Sequence, residues 1–117
     1  ALTRDAAQLL RRGATADDPA RVINVGSIEG VSTPPHDTYA YAVSKAAVLH
    51  LSRLLANALA QPEQPITVNT ILPGPFPSKM MRHTIEAAGE DTVAAGTALG
   101  RIGRPADAAG AVMFLAS

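Results

Sequence analysis

Apolar residues recur at helical spacing in the first twelve positions, where Leu2, Ala6, Leu9 and Leu10 lie on one side of a helix that Gly13 stops. After a polar connection, Ala14 to Ala20, the pattern changes to a short run, Arg21 to Gly26, in which Val22, Ile23 and Val25 show no clean alternation. Such a run suits a strand of a parallel sheet covered on both faces, with Asn24 serving packing. The loop Glu29 to Thr38, EGVSTPPHDT, contains Gly30, Pro34 and Pro35 and is expected to hold no regular structure. A long helix follows over Tyr39 to Ala60. It carries two apolar stripes, Val43, Ala47, Leu51 and Leu54 on one and Val48, Leu55 and Leu59 on the other, which is more than a surface helix needs. One stripe should cover the sheet, and the other, with small neighbours such as Ala42, Ala46 and Ala56, is free to meet a second helix.

Gln61-Pro62 and Gln64-Pro65 end that helix, and Ile66 to Leu72 forms a second strand. Strand, helix and strand then make one right-handed crossover of a parallel sheet, closed by a sharp turn at Pro73-Gly74. Lys79 to Leu99 divides into one or two short helices at Gly89 and Gly96. In the last segment Pro105 stands at a first helical position and Asp107 in the first turn. The fold class is therefore α/β.

Composition narrows the possibilities. Of 117 residues 47% are hydrophobic, with 10 basic and 10 acidic side chains and a formal net charge of +0, so no overall field favours nucleic acid or an anionic membrane. The absence of cysteine excludes disulfide and thiol chemistry, and fits a cytoplasmic protein. No apolar run reaches membrane-spanning length. His36, His50 and His83 lack metal-ligand spacing, so no metal site is expected. The start, ALTRDAAQLLRRG, has neither an initiator methionine nor a signal-peptide layout, and AVMFLAS ends on an apolar helix; the chain reads as cut from something longer.

The candidate chemistry lies at the ends of the two strands and the start of the long helix. Tyr41 and Lys45, four residues apart, share a helix face. A positive charge beside a phenol favours the phenolate, so the pair can work as an acid-base device on a carbonyl or alcohol. Tyr39 has Val43 at that spacing and reads as a wall or packing residue. Ser27 directly follows the first strand, where open parallel sheets place their ligand crevice, and its hydroxyl can orient a substrate oxygen. Ser32 is the alternative to Ser27, and His36 a remote candidate for a base. Asp17 and Asp18 read as solvated loop acids, and Met80 and Met81 as packing or an apolar substrate wall.

RVINVGSIEG, YAYAVSKAAV, LPGPFPSKM and GRIGRP, in this order, resemble the short-chain dehydrogenase/reductase family from about Val22 to Ser117. The resemblance implies part of a doubly wound, Rossmann-like sheet spanning residues 1–117, with the amino-terminal cofactor-binding half and the final strand absent, since no glycine-rich dinucleotide turn is present. It implies hydride transfer between NADP or NAD and a small carbonyl or alcohol substrate, with NADP favoured. Tyr41 would pass the proton, Lys45 would lower its pKa and hold the nicotinamide ribose, and Ser27 would orient the substrate. Tyr41 follows Ser27 by 14 residues, one more than the family's commonest spacing, which an extra loop residue absorbs. Pro73 and Gly74 would lie against the nicotinamide, Phe76 would reach its carboxamide through the backbone, and Ser78 fills the family's threonine or serine position.

Within the family the motifs look most like 3-oxoacyl-carrier-protein reductases, including those linked to rhamnolipid synthesis. Sugar and polyol dehydrogenases compete, as does an inactive fragment or assembly subunit. The resemblance also implies a homo-oligomer formed through the Tyr39–Ala60 helix, and the chain by itself is expected to be inactive.

Overall fold

The computed structural model describes residues 2–33 and 37–117. In chain order these form α1 (Leu2–Gly13), β1 (Ala20–Val25), a single 3-10 turn (Ile28–Gly30), α2 (Tyr39–Leu59), β2 (Ile66–Ile71), α3 (Arg82–Ala88), α4 (Glu90–Ala95) and α5 (Pro105–Ala116). β1 and β2 pair in parallel, in register from Ala20 opposite Ile66 to Val25 opposite Ile71. Parallel strands need a crossover, and the 21-residue α2 provides it. The expected elements are all present. The 3-10 turn corrects the expectation of a wholly irregular loop: Ser27 accepts the Glu29 amide on its Oγ and so caps one turn of helix.

The core sits between β2 and α2. Ile66 and Val68 are buried with Thr67 exposed between them, so the first half of β2 alternates as a strand with one well-covered face does. α1 packs against β1, and α5 against both strands. Among the described residues only one edge of each strand is paired. Val25, at the end of β1, is correspondingly 58% exposed, unlike a strand covered on both faces.

The structure separates the two stripes of α2. Val48, Leu55 and Leu59 are partly buried and share their face with the buried Ser52, whereas Val43, Leu51 and Leu54 are exposed. Ser52 donates to the Val48 carbonyl at 2.8 Å and accepts from Asn24 Nδ2 at 2.8 Å. That polar stitch gives Asn24 a role beyond packing, since it satisfies a side-chain amide that β1 carries towards the helix.

At the far end, Asp107 organises the start of α5. It accepts the Arg104 amide at 2.8 Å and a two-pronged grip from Arg101, at 2.7 and 3.0 Å. The arginine hydrogen bond, followed by the Arg104 amide, lowers the Asp107 carboxyl from its ordinary 3.8 to about 2. A depressed folded value stabilises the protein fully above 3.8, and that contribution disappears as pH falls from 3.8 through about 2. In the whole protein, Asp107→Asn should therefore lower the denaturation midpoint at neutral pH, and the two midpoints should converge across this acid window. A constant gap down to the lowest pH would show that the carboxylate charge contributes nothing.

Candidate active site

The ladder between the strands continues past their ends. Gly26 donates to the Ile71 carbonyl at 2.8 Å and Ile28 to the Pro73 carbonyl at 3.0 Å, so the segment carrying Ser27 lies beside the segment leading to Pro73-Gly74. Gly26 marks this closeness: a Cβ there would stand 2.5 Å from Leu72 Cδ2 and 3.2 Å from Thr70 Cγ2, so a larger residue would displace the end of the Leu72 side chain. Ser27 is extended, with φ −161° and ψ 153°, and only 7% exposed. Its Oγ accepts from the Glu29 amide at 3.2 Å, an acceptor role that leaves the hydroxyl proton to donate elsewhere.

The turn after Ser27 rests on the backbone of α2. A Cβ on Gly30 would fall 2.8 Å from the Lys45 carbonyl carbon and 2.9 Å from the Ala46 nitrogen. From the same helical position the Lys45 side chain reaches back to β1, where Nζ donates to the Val25 carbonyl at 3.2 Å. Nζ also lies 5.6 Å from the centroid of the Tyr41 ring, within cation–π range. Tyr41 and Lys45 are thus brought together, and through Val25 and Gly30 they are tied to the two ends of the segment containing Ser27.

The competing candidates have other partners. Tyr39 is 74% exposed and donates to Asp37 Oδ1 at 3.0 Å. Ser32 is exposed and turns its hydroxyl back to the Ile28 carbonyl at 2.9 Å. His36 lies outside the described residues.

Beyond β2, the chain from Pro73 to Ser78 is pinned to the GRIGRP turn. Gly103 donates to the Pro75 carbonyl at 2.8 Å, and the Phe76 ring occupies the space a Cβ on Gly103 would need, 2.3 Å from Phe76 Cε2. The Phe76 side chain therefore anchors the loop, while its amide, like that of Gly74, has no hydrogen-bond partner among the described residues. Gly74 is exposed in open space. Two unpaired amides on one short loop fit a polar ligand with acceptor groups such as a carboxamide. Ser78 accepts from the Met81 amide at 3.3 Å and, through its carbonyl, from Arg82 at 3.0 Å, so it holds the approach to α3.

Sequence reasoning missed three contacts: the Gly30 approach to α2, the Lys45 bond to Val25, and a 2.7 Å hydrogen bond from Thr38 Oγ1 to Glu29 Oε2. The first had a usable signal, a glycine in the short segment after the first strand. The other two depend on where a loop returns, which no local pattern specifies. Among the described residues no three His, Asp or Glu side chains group as metal ligands, and no helix is long and apolar enough to cross a membrane.

Comparison with known proteins matches the same region. A family model described as enoyl-(acyl carrier protein) reductase matches residues 1–117. The rhamnolipids biosynthesis 3-oxoacyl-[acyl-carrier-protein] reductase of Pseudomonas aeruginosa is 46% identical over 109 residues, covering 92% of this chain and 42% of the relative. A Pseudomonas aeruginosa RhlG/NADP active-site complex superposes with a TM-score of 0.88 at 44% identity, over 98% of this chain and 46% of that one. A gluconate 5-dehydrogenase from Burkholderia cenocepacia, in complex with NADP and tartrate, follows at 27% identity and a TM-score of 0.82, over 99% and 43%. The chain spans less than half the length of these proteins. Their shared architecture is the doubly wound sheet of the Rossmann type, to which β1, α2 and β2 contribute one crossover.

Proposed function

The chain belongs to the short-chain dehydrogenase/reductase family, and from that premise we propose that its whole protein reduces 3-oxoacyl thioesters with NADPH. The observation that carries the reading is the Tyr41–Lys45 pair, fastened to the Val25 carbonyl at the end of the strand that delivers Ser27. A bound reduced nicotinamide supplies the hydride to the carbonyl carbon. The carbonyl π bond breaks, negative charge develops on oxygen, and Tyr41 donates its hydroxyl proton there to give a secondary alcohol. Ser27, whose Oγ already accepts from Glu29, donates its own proton to the same oxygen and orients it.

Lys45 spends one N–H on Val25 and keeps two for ribose hydroxyls, while its charge sits over the phenol ring. The Gly74 and Phe76 amides, which have no partner among the described residues, would receive the nicotinamide carboxamide, with Pro73 and Ser78 shaping the loop. NADP is favoured over NAD because both solved structures described above hold NADP. The exposed Val43, Leu51 and Leu54 face of α2 supports a homo-oligomer formed through this helix. The likeness to the gluconate 5-dehydrogenase favours, as a second reading, oxidation of a sugar acid or polyol at the same site.

Both readings are tested on the whole protein. Consumption of NADPH is followed with a 3-oxoacyl thioester, and reduction of NADP with gluconate. Faster turnover of the thioester supports the first reading, and turnover of gluconate alone replaces it with the second. Failure of every carbonyl and alcohol substrate would refute both.

A further inference from the structure

Thr38 occupies the N-cap position of α2, where a threonine hydroxyl ordinarily accepts an amide from the helix's first turn. Its hydroxyl makes no such cap. It donates instead to Glu29 Oε2 at 2.7 Å, a short bond to a carboxylate nine residues earlier. Glu29 is the residue whose amide is held by Ser27 Oγ at 3.2 Å, and the next residue, Gly30, is seated on the α2 backbone at Lys45 and Ala46. A single residue thus joins the Ser27 hydroxyl, through its amide, to the entrance of the helix bearing Tyr41, through its carboxylate.

We propose that the Glu29–Thr38 hydrogen bond is a positioning device that fixes Ser27 relative to Tyr41, an inference that rests on the roles assigned to those two residues under the proposed function. Ser27 and Tyr41 stand on separate elements, 14 residues apart in the chain, and catalysis requires two such groups to be held to a fraction of an ångström. The bond ties the 3-10 turn that Ser27 caps to the entrance of the helix that carries Tyr41. Glu29 and Thr38 touch neither substrate nor cofactor in this account, so their effect should appear in kcat and in the order of the turn, leaving cofactor affinity unchanged.

The test uses the whole protein with Thr38→Val, Glu29→Ala and the double variant, alongside the conservative Thr38→Ser and Glu29→Gln, which keep a donor and an acceptor. Steady-state kinetics are combined with hydrogen exchange at the Glu29 and Gly30 amides. Thr38→Val and Glu29→Ala should each lower kcat by about 10- to 100-fold. The double variant should lose no more than either single one, the conservative pair should recover most of the rate, and amide exchange should quicken in Thr38→Val. A Thr38→Val protein with native kcat and native exchange would overturn the proposal, as would single losses that multiply in the double variant. If the unaltered protein reduces no carbonyl substrate, the functional reading fails separately, and the exchange measurement decides whether the bond orders the turn.

Discussion

Replacing Tyr41 by phenylalanine in the whole protein is expected to lower kcat by about 10²- to 10⁴-fold, the usual worth of a positioned proton donor. Phenylalanine keeps the ring over which Lys45 Nζ lies at 5.6 Å, and it leaves the Lys45 bond to the Val25 carbonyl untouched. The variant should therefore fold and bind cofactor as the native protein does, losing only the proton it would have delivered. Tyr39→Phe is the matching control. It removes an exposed hydrogen bond to Asp37 and should leave the rate unchanged. Steady-state kinetics with a fluorescence titration of cofactor would separate the two effects. Equal rates for Tyr41→Phe and Tyr39→Phe would mean that neither phenol passes the proton.

Gly30→Ala should impair both stability and rate, for a reason visible only in the fold. The added methyl would stand 2.8 Å from the Lys45 carbonyl carbon and 2.9 Å from the Ala46 nitrogen, and both are backbone atoms of a 21-residue helix that cannot rotate aside. The turn must lift off the helix instead. Overpacking of this kind costs about 1–3 kcal/mol. Because the turn begins at Ser27, the displacement should also reduce kcat by about 10²-fold. Gly110→Ala provides the contrast: it lies inside α5 with nothing within 4 Å of the place a methyl would occupy, and should stabilise by about 0.5–1 kcal/mol. Urea denaturation of the two variants would check the opposite signs; a neutral Gly30→Ala would show that the turn is not seated on α2.

The elements were legible because their local signals agree. Gln61-Pro62 ends α2 close to Leu59, Gly89 and Gly96 bound α4, and Pro105 begins α5. The Tyr41–Lys45 pair was legible for the same reason, since helical spacing alone places both on one face. What escaped notice was tertiary. Asn24 reads as a packing residue of an apolar strand until Ser52, 28 residues later, meets its side chain. Phe76 is assigned a backbone role in the sequence, and nothing there signals that its ring packs against Gly103. The Glu29 carboxylate belongs to a loop whose composition indicates only irregularity, and its partner Thr38 is known once the chain has turned back. In each case the deciding contact joins residues whose separation carries no periodicity.

The central claim is that Tyr41, supported by Lys45 and Ser27, passes the proton in a nicotinamide-dependent carbonyl reduction. Its most direct test is a single-turnover measurement: the whole protein, loaded with NADPH, is mixed rapidly with a 3-oxoacyl thioester, and nicotinamide oxidation is followed beside formation of the 3-hydroxy product. The account predicts one alcohol formed per NADPH oxidised in the native protein, and Tyr41→Phe binding NADPH while its hydride-transfer step slows by about 10²-fold or more. Hydride transfer at the native rate in Tyr41→Phe would contradict it.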